Sequence, residues 1–205
     1  MITNIKVEDT FALKDRINGS LPIKIKGEHI NVIVAPNGYG KSTIFQSIKD
    51  TLFDKPVKGL KIQFTQEFID NPAEMYFLSP SELSGKSLLS NANPFNQAQY
   101  NSSLIEGYKR CHLSSGQETK EMLLDFETLA ATDNRIIFLD EPEISMDAVQ
   151  LFNFKESLKK INNIQIWIIS HSPIFILEKE FNIISLDDNY LKELKAIYSD
   201  LSLSS

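Results

Sequence analysis

The sequence predicts an α/β protein built on a mostly parallel sheet covered by helices on both faces. Three observations lead there. Continuous apolar, β-branched runs at INVIVA (30–35), RIIFLD (135–140) and IQIWIIS (164–170) read as strands buried on both faces. An amphipathic segment, DAVQLFNFKESLKKI (147–161), separates two of them with helical spacing. A small-residue loop, APNGYGKST (35–43), joins the first run to a second helical segment, IFQSIKDTLF. Strands alternating with helices form crossover units, and such units build parallel sheets.

The elements follow in chain order. NIKV (4–7) and LPIKIKG (21–27) read as edge strands of a small antiparallel N-terminal sheet. Apolar residues at 44, 45, 48, 52 and 53 give the helix after the loop a buried stripe. LKIQFTQ (60–66) and EMYFL (74–78) are further strands. Residues 79–112 are rich in Ser, Asn and Gln with weak periodicity, which predicts loop with short helices. A helix is expected over about 115–131, with Met122, Phe126, Leu129 and Ala130 toward a core. The 147–161 helix starts near Asp147 and ends in lysines, as the helix dipole favours. FNIISL (181–186) reads as a fourth buried strand and NYLKELKAIYSDL (189–201) as a last helix. No repeats are visible, and 205 residues suit a single domain with a sizeable core.

Composition excludes some functions. The formal net charge is −6, which argues against coating nucleic acid by bulk electrostatics and leaves room only for a local basic patch. The one cysteine, Cys111, cannot form an intrachain disulfide and fits a reducing compartment, as a small buried apolar residue. The start, MITNIKVEDTF, lacks a cationic head followed by an apolar run, and no apolar run approaches ~18 residues. A cytoplasmic location without a membrane span of its own is the expectation.

APNGYGKST has the makings of a phosphate cradle. Gly38 and Gly40 allow positive φ and let the loop turn its N–H groups inward, with Asn37 between them and the strand. The helix headed by Lys41, Ser42 and Thr43 adds its positive dipole end. Lys41 can reach the β- and γ-phosphates of a nucleoside triphosphate, and the Ser42 hydroxyl can ligate Mg²⁺. Ala35 stands where the G-x-x-x-x-G-K-[ST] pattern has its first glycine. A glycine-rich turn with a chance lysine is the bland alternative, and the strand before and helix after oppose it. In parallel sheets ligands bind beyond the carboxyl ends of strands. Asp140 and Glu141 follow one buried run, and His171 follows another. Asp140 is placed for the magnesium shell, Glu141 to act as general base, and His171 to meet the γ-phosphate and orient water. Singly, an Asp-Glu pair is as easily a helix cap, and a lone histidine a structural one.

With LSSGQE (113–118), these stretches resemble a known family. APNGYGKST, LSSGQE, IIFLDEPEISMD and IISHSP occur in the order of the Walker A, signature, Walker B with D-loop, and switch-histidine motifs of ABC-class ATPases. The resemblance covers about residues 1–186. It implies a P-loop NTPase fold of ABC type, with a reduced helical signature subdomain over about 79–131. It implies ATP hydrolysis with Mg²⁺ and a head-to-tail homodimer on ATP binding. Ser114, Ser115, Gly116 and Gln117 would then close over the phosphates of the partner subunit; Ser115 replaces the usual first glycine of that motif. Phe11 falls where the family often stacks an aromatic on adenine, and equally suits the core of an edge strand. Asp147 matches the D-loop, and equally an N-cap. The Q-loop departs from the pattern, with Ser79 where glutamine is expected.

Within this class, LSSGQE, DEPEIS and SHSP look more like the non-transport ATPases of RecF, SMC and OLD type. That branch implies an effector protein, DNA-associated in repair or defence systems. A cytoplasmic ATPase subunit of a transporter is the alternative, favoured by the length and by Gly27-Glu28 before the phosphate strand. A non-hydrolysing nucleotide-switch adaptor is a third, and Glu141 argues against it.

Overall fold

The computed structural model describes residues 1–8, 23–52, 57–70, 74–78 and 135–203. Two sheets account for the strands among the described residues. Strand β1 (Ile2–Val7) pairs antiparallel with β2 (Ile23–Lys26) on one side and β4 (Leu60–Phe64) on the other. The second sheet holds β3 (Ile30–Val34), β5 (Glu74–Leu78), β6 (Arg135–Asp140), β7 (Ile164–Ile169) and β8 (Asn182–Ser185). It is parallel, in the order β5-β6-β7-β3-β8. Helices α1 (Lys41–Leu52), α2 (Gln66–Asp70), α3 (Ala148–Lys159), α4 (Pro173–Ile176) and α5 (Asp188–Leu203) complete the described elements, with a 3₁₀ turn at Pro142–Ser145.

Every residue of β3 and β7 is buried. Alternate side chains serve two cores. Ile33, Ile136, Phe138, Trp167 and Ile169 pack with Ile44 and Ile48 of α1 and with Ile2, Ile5 and Val7 of β1. Val32, Val34, Ile137, Leu139, Ile166 and Ile168 pack with Leu151, Phe154 and Leu158 of α3 and Phe175 of α4. Helices on both faces remove the polar alternation that a half-exposed strand shows.

The antiparallel sheet is fastened to the parallel one by a buried amide. Gln165 of β7 accepts from Ile2 N–H at 2.8 Å and donates to Ile2 C=O at 2.8 Å and Glu28 C=O at 3.0 Å. The amide pairs with Ile2 as a neighbouring peptide would. Gly27 lies against the same junction, where a Cβ would sit 2.2 Å from Ile2 O.

Three expectations need correction. NIKV is not an edge strand: β1 lies in the middle of the small sheet, paired with β2 on one side and β4 on the other. FNIISL is not a fourth buried strand: β8 is half-buried along its length, because it is the edge strand beside β3. The strand expected over 60–66 ends at Phe64, where Thr65 Oγ1 accepts from Phe68 N–H at 3.3 Å and opens α2. The helix expected over about 115–131, the 79–131 subdomain and Cys111 lie outside the described residues. Among the described residues no helix is long and apolar enough to cross a membrane.

Candidate nucleotide site

Strands β6, β7 and β3 are adjacent and parallel, so their carboxyl ends open onto one place. The loop after β3 bends through Gly38 (φ 79) and Gly40 (φ 83). A Cβ on Gly38 would meet nothing within 4 Å, so its backbone conformation, not crowding, calls for glycine there. Tyr39 N–H closes the bend on Pro36 O at 3.3 Å, and its hydroxyl donates to Asp187 Oδ2 at 2.9 Å. Asn37, Ser42 and Thr43 are exposed at the mouth. Lys41 is buried, and its ammonium donates to Ala35 O at 3.1 Å and Pro36 O at 3.2 Å. Burial pushes its pKa below the ordinary lysine value, against the pull of Glu141, Asp140 and Glu143.

The end of β6 faces this loop. Ser42 Oγ lies 3.5 Å from Asp140 Oδ1, so a hydroxyl from α1 and a carboxylate from β6 meet. These are hard oxygen donors, and a site offering few of them suits Mg²⁺ that keeps water and phosphate oxygens in its shell. The next residue, Glu141, adopts the left-handed conformation at φ 48, ψ 55, the one non-glycine with positive φ among the described residues. Its N–H bonds Ile169 O at 3.0 Å, and Pro142 begins the 3₁₀ turn behind it. This bend turns the carboxylate toward His171, whose Nε2 is 3.4 Å from Glu141 Oε1.

His171 follows β7 and Ser170. Its backbone is held by Glu143, whose Oε1 accepts from His171 N–H at 2.6 Å and from Ser170 Oγ at 2.8 Å. Its ring Nδ1 lies 3.4 Å from the Tyr190 hydroxyl. Burial, then the Lys41 charge, lowers the His171 pKa; Glu141 and Glu143 oppose them. A neutral imidazole is therefore favoured.

Lys41, Ser42, Asp140, Glu141 and His171 thus meet as their positions after strands predict. Asp147 caps α3: its Oδ1 accepts from Val149 N–H at 2.9 Å and Gln150 N–H at 2.8 Å, while Gln150 Oε1 accepts from Asp147 N–H at 3.1 Å. Phe11, Ser79, Ser114, Ser115, Gly116 and Gln117 lie outside the described residues. Sequence reasoning missed Glu143, Tyr190 and the Tyr39–Asp187 pair. Asp187 had a signal, an acidic residue just before a helical pattern.

No protein-family model matches the chain. Zinc import ATP-binding protein ZnuC 1 of Aliivibrio fischeri is 25% identical over 198 residues, which are 91% of this chain and 76% of that protein. Zinc import ATP-binding protein ZnuC of Photobacterium profundum is 27% identical over 204 residues, again 91% and 76%. Among solved structures, a bacterial Atm1-family ABC exporter with ATP bound aligns at TM-score 0.54 and 17% identity, over 91% of this chain and 37% of its own. The SMC head domain from Thermotoga maritima aligns at 0.53 and 15%, over 89% and 94%. The ADP conformation of MJ1267, an ATP-binding cassette of an ABC transporter, aligns at 0.51 and 19%, over 90% and 87%. The fold is that of an ABC-type ATPase, with a parallel sheet flanked by helices and a small antiparallel sheet.

Proposed function

We propose that this chain binds ATP and hydrolyses it to ADP and phosphate as an ABC-type ATPase domain. One observation carries the reading. Three adjacent strands bring Lys41, Ser42, Asp140, Glu141 and His171 together, with Ser42 beside Asp140 and Glu141 beside His171. Backbone N–H groups around Asn37–Thr43 cradle the phosphates, and Lys41 offsets their charge. Ser42 and Asp140 would hold Mg²⁺, which when bound neutralises phosphate charge. Glu141 accepts the proton of the attacking water. His171 meets the γ-phosphate and orients that water.

Ser114–Gln117 complete the site of a second copy in a head-to-tail dimer, with Asp147 at the crossing and Phe11 stacked on adenine. ATP binding and release then move a partner from the cytoplasmic side. Two partner classes compete. Both curated relatives are zinc import ATP-binding proteins, matched over nine-tenths of this chain, which favours a transporter's membrane subunits. DEPEIS and Ser79 favour a non-transport effector of the DNA-repair or defence kind, for which the likeness to the SMC head domain supplies a fold and no more.

Phosphate release is the test. The wild type should turn over ATP, and Glu141→Gln should bind it while turning over ~10²–10⁴-fold more slowly. Equal rates overturn the assignment. Affinity capture distinguishes the partner classes: a membrane protein supports transport, and salt-sensitive, ATP-dependent DNA binding supports the other.

A further inference from the structure

We propose that Tyr190 is a positioning residue that holds the His171 ring, its hydroxyl donating to Nδ1 while the ring proton sits on Nε2, facing Glu141. The role in turnover rests on the ATPase reading; the tautomer itself does not. A neutral imidazole carries one N–H, and its partners decide which nitrogen holds it. Tyr190 O–H lies 3.4 Å from Nδ1, and Glu141 Oε1 lies 3.4 Å from Nε2. A carboxylate accepts and cannot donate. A lone pair on Nε2 would face its negative charge, whereas an N–H there is attracted. The hydroxyl can do either, so the Glu141 charge selects the tautomer and Tyr190 answers it: Tyr O–H to Nδ1, and Nε2–H facing the carboxylate 3.4 Å away, with which it forms no hydrogen bond.

The surroundings support a fixed donor. Tyr190 stands in the first turn of α5 and packs against the core beside α3 and α4. Its N–H bonds Asp187 Oδ1 at 3.2 Å, and the same carboxylate holds Tyr39 of the phosphate loop. Burial raises its pKa, so the hydroxyl keeps its proton. The His171 backbone is set independently by Glu143, so Tyr190 acts on the ring.

Long-range ¹⁵N correlation spectra of histidine-labelled protein without nucleotide read the tautomer directly; His171→Gln assigns the signal among the three histidines. The expected wild-type pattern is Nε2–H. Tyr190→Phe should leave Nε2–H in place, since Glu141 still favours it, but move the Nδ1 shift and lower kcat about tenfold, with KM for ATP and the melting temperature little changed. A wild-type Nδ1–H pattern, or an unmoved Nδ1 shift in Tyr190→Phe, overturns the proposal. Should that variant not fold, 3-fluorotyrosine at position 190, a stronger donor, must move the Nδ1 shift, and an unmoved shift overturns it. A protein that shows the expected tautomers but neither binds nor hydrolyses ATP upholds the tautomer assignment and overturns the ATPase reading instead.

Discussion

The Tyr39 hydroxyl donates to Asp187 Oδ2 at 2.9 Å, joining the phosphate loop to a residue 148 positions later. The same carboxylate accepts Asn189 N–H at 3.0 Å and Tyr190 N–H at 3.2 Å, so one side chain starts α5 and braces the loop. These backbone bonds, with the tyrosine, hold its pKa below the usual carboxylate value. Tyr39→Phe should weaken ATP binding by up to about tenfold and leave kcat nearly unchanged, since it removes a loop brace and no reacting group. Calorimetric titration beside steady-state kinetics checks the split.

Glu141 holds a left-handed backbone ahead of Pro142. Such a conformation costs a residue with a Cβ about 1–3 kcal/mol. At ordinary positions glycine is less stable than alanine. Here Glu141→Gly should be more stable than Glu141→Ala by about 1 kcal/mol, with both inactive. Urea unfolding of the two variants decides it, and the ordinary ranking would refute the strain.

His171 has its pKa lowered by burial and Lys41, and the groups facing it are Glu141, Glu143, Lys41 and Tyr190. The unfolded chain therefore takes up this proton more readily than the folded one. The group's contribution to stability is complete above its ordinary value of about 6.5 and is lost as pH falls below that value. Melting temperature should drop on acidification through that window more steeply in the wild type than in His171→Gln. ATPase activity should persist somewhat below pH 6.5 before its acid limb.

Gln165→Leu should cost about 2–4 kcal/mol, because it strands Ile2 N–H and removes the buried donor to Ile2 C=O, while Glu28 C=O keeps the Asn31 amide at 2.7 Å. Gln165→Glu should not rescue it, since a second oxygen would face two carbonyl oxygens. Denaturant midpoints at constant slope report the loss.

The dimer can be tested by complementation. Lys41→Ala and Ser114→Arg should each be inactive alone. Mixed, they should recover part of the activity, because one composite site then joins an intact phosphate loop to an intact signature. Native mass spectrometry confirms mixed dimers; their presence without recovery would refute trans-acting signatures or independent sites.

The buried strands were legible because burial on both faces leaves an unbroken apolar run. FNIISL reads the same way, yet β8 is an edge, and periodicity carries no information about place in a sheet. Lys41, Asp140, Glu141 and His171 were legible from one rule, that chemistry gathers beyond parallel strand ends. Their supports were not. Glu143 meets Ser170 across 27 residues, Tyr190 meets His171 across 19, and Tyr39 meets Asp187 across 148. Those pairings depend on strand order, which no local pattern records.

Lys41 lays its ammonium on the carbonyl oxygens of Ala35 and Pro36, the two residues where β3 passes into the loop. The cation is thus a placeholder as well as a counterion, keeping two neighbouring dipoles from splaying the bend. Nucleotide binding becomes an exchange of partners by a group already at its post, not a first ordering of slack chain. Alanine at 41 takes away both the keystone and the charge, so the shape of the cradle and its grip should fail together. Arginine, which keeps the charge on a broader head, should separate them.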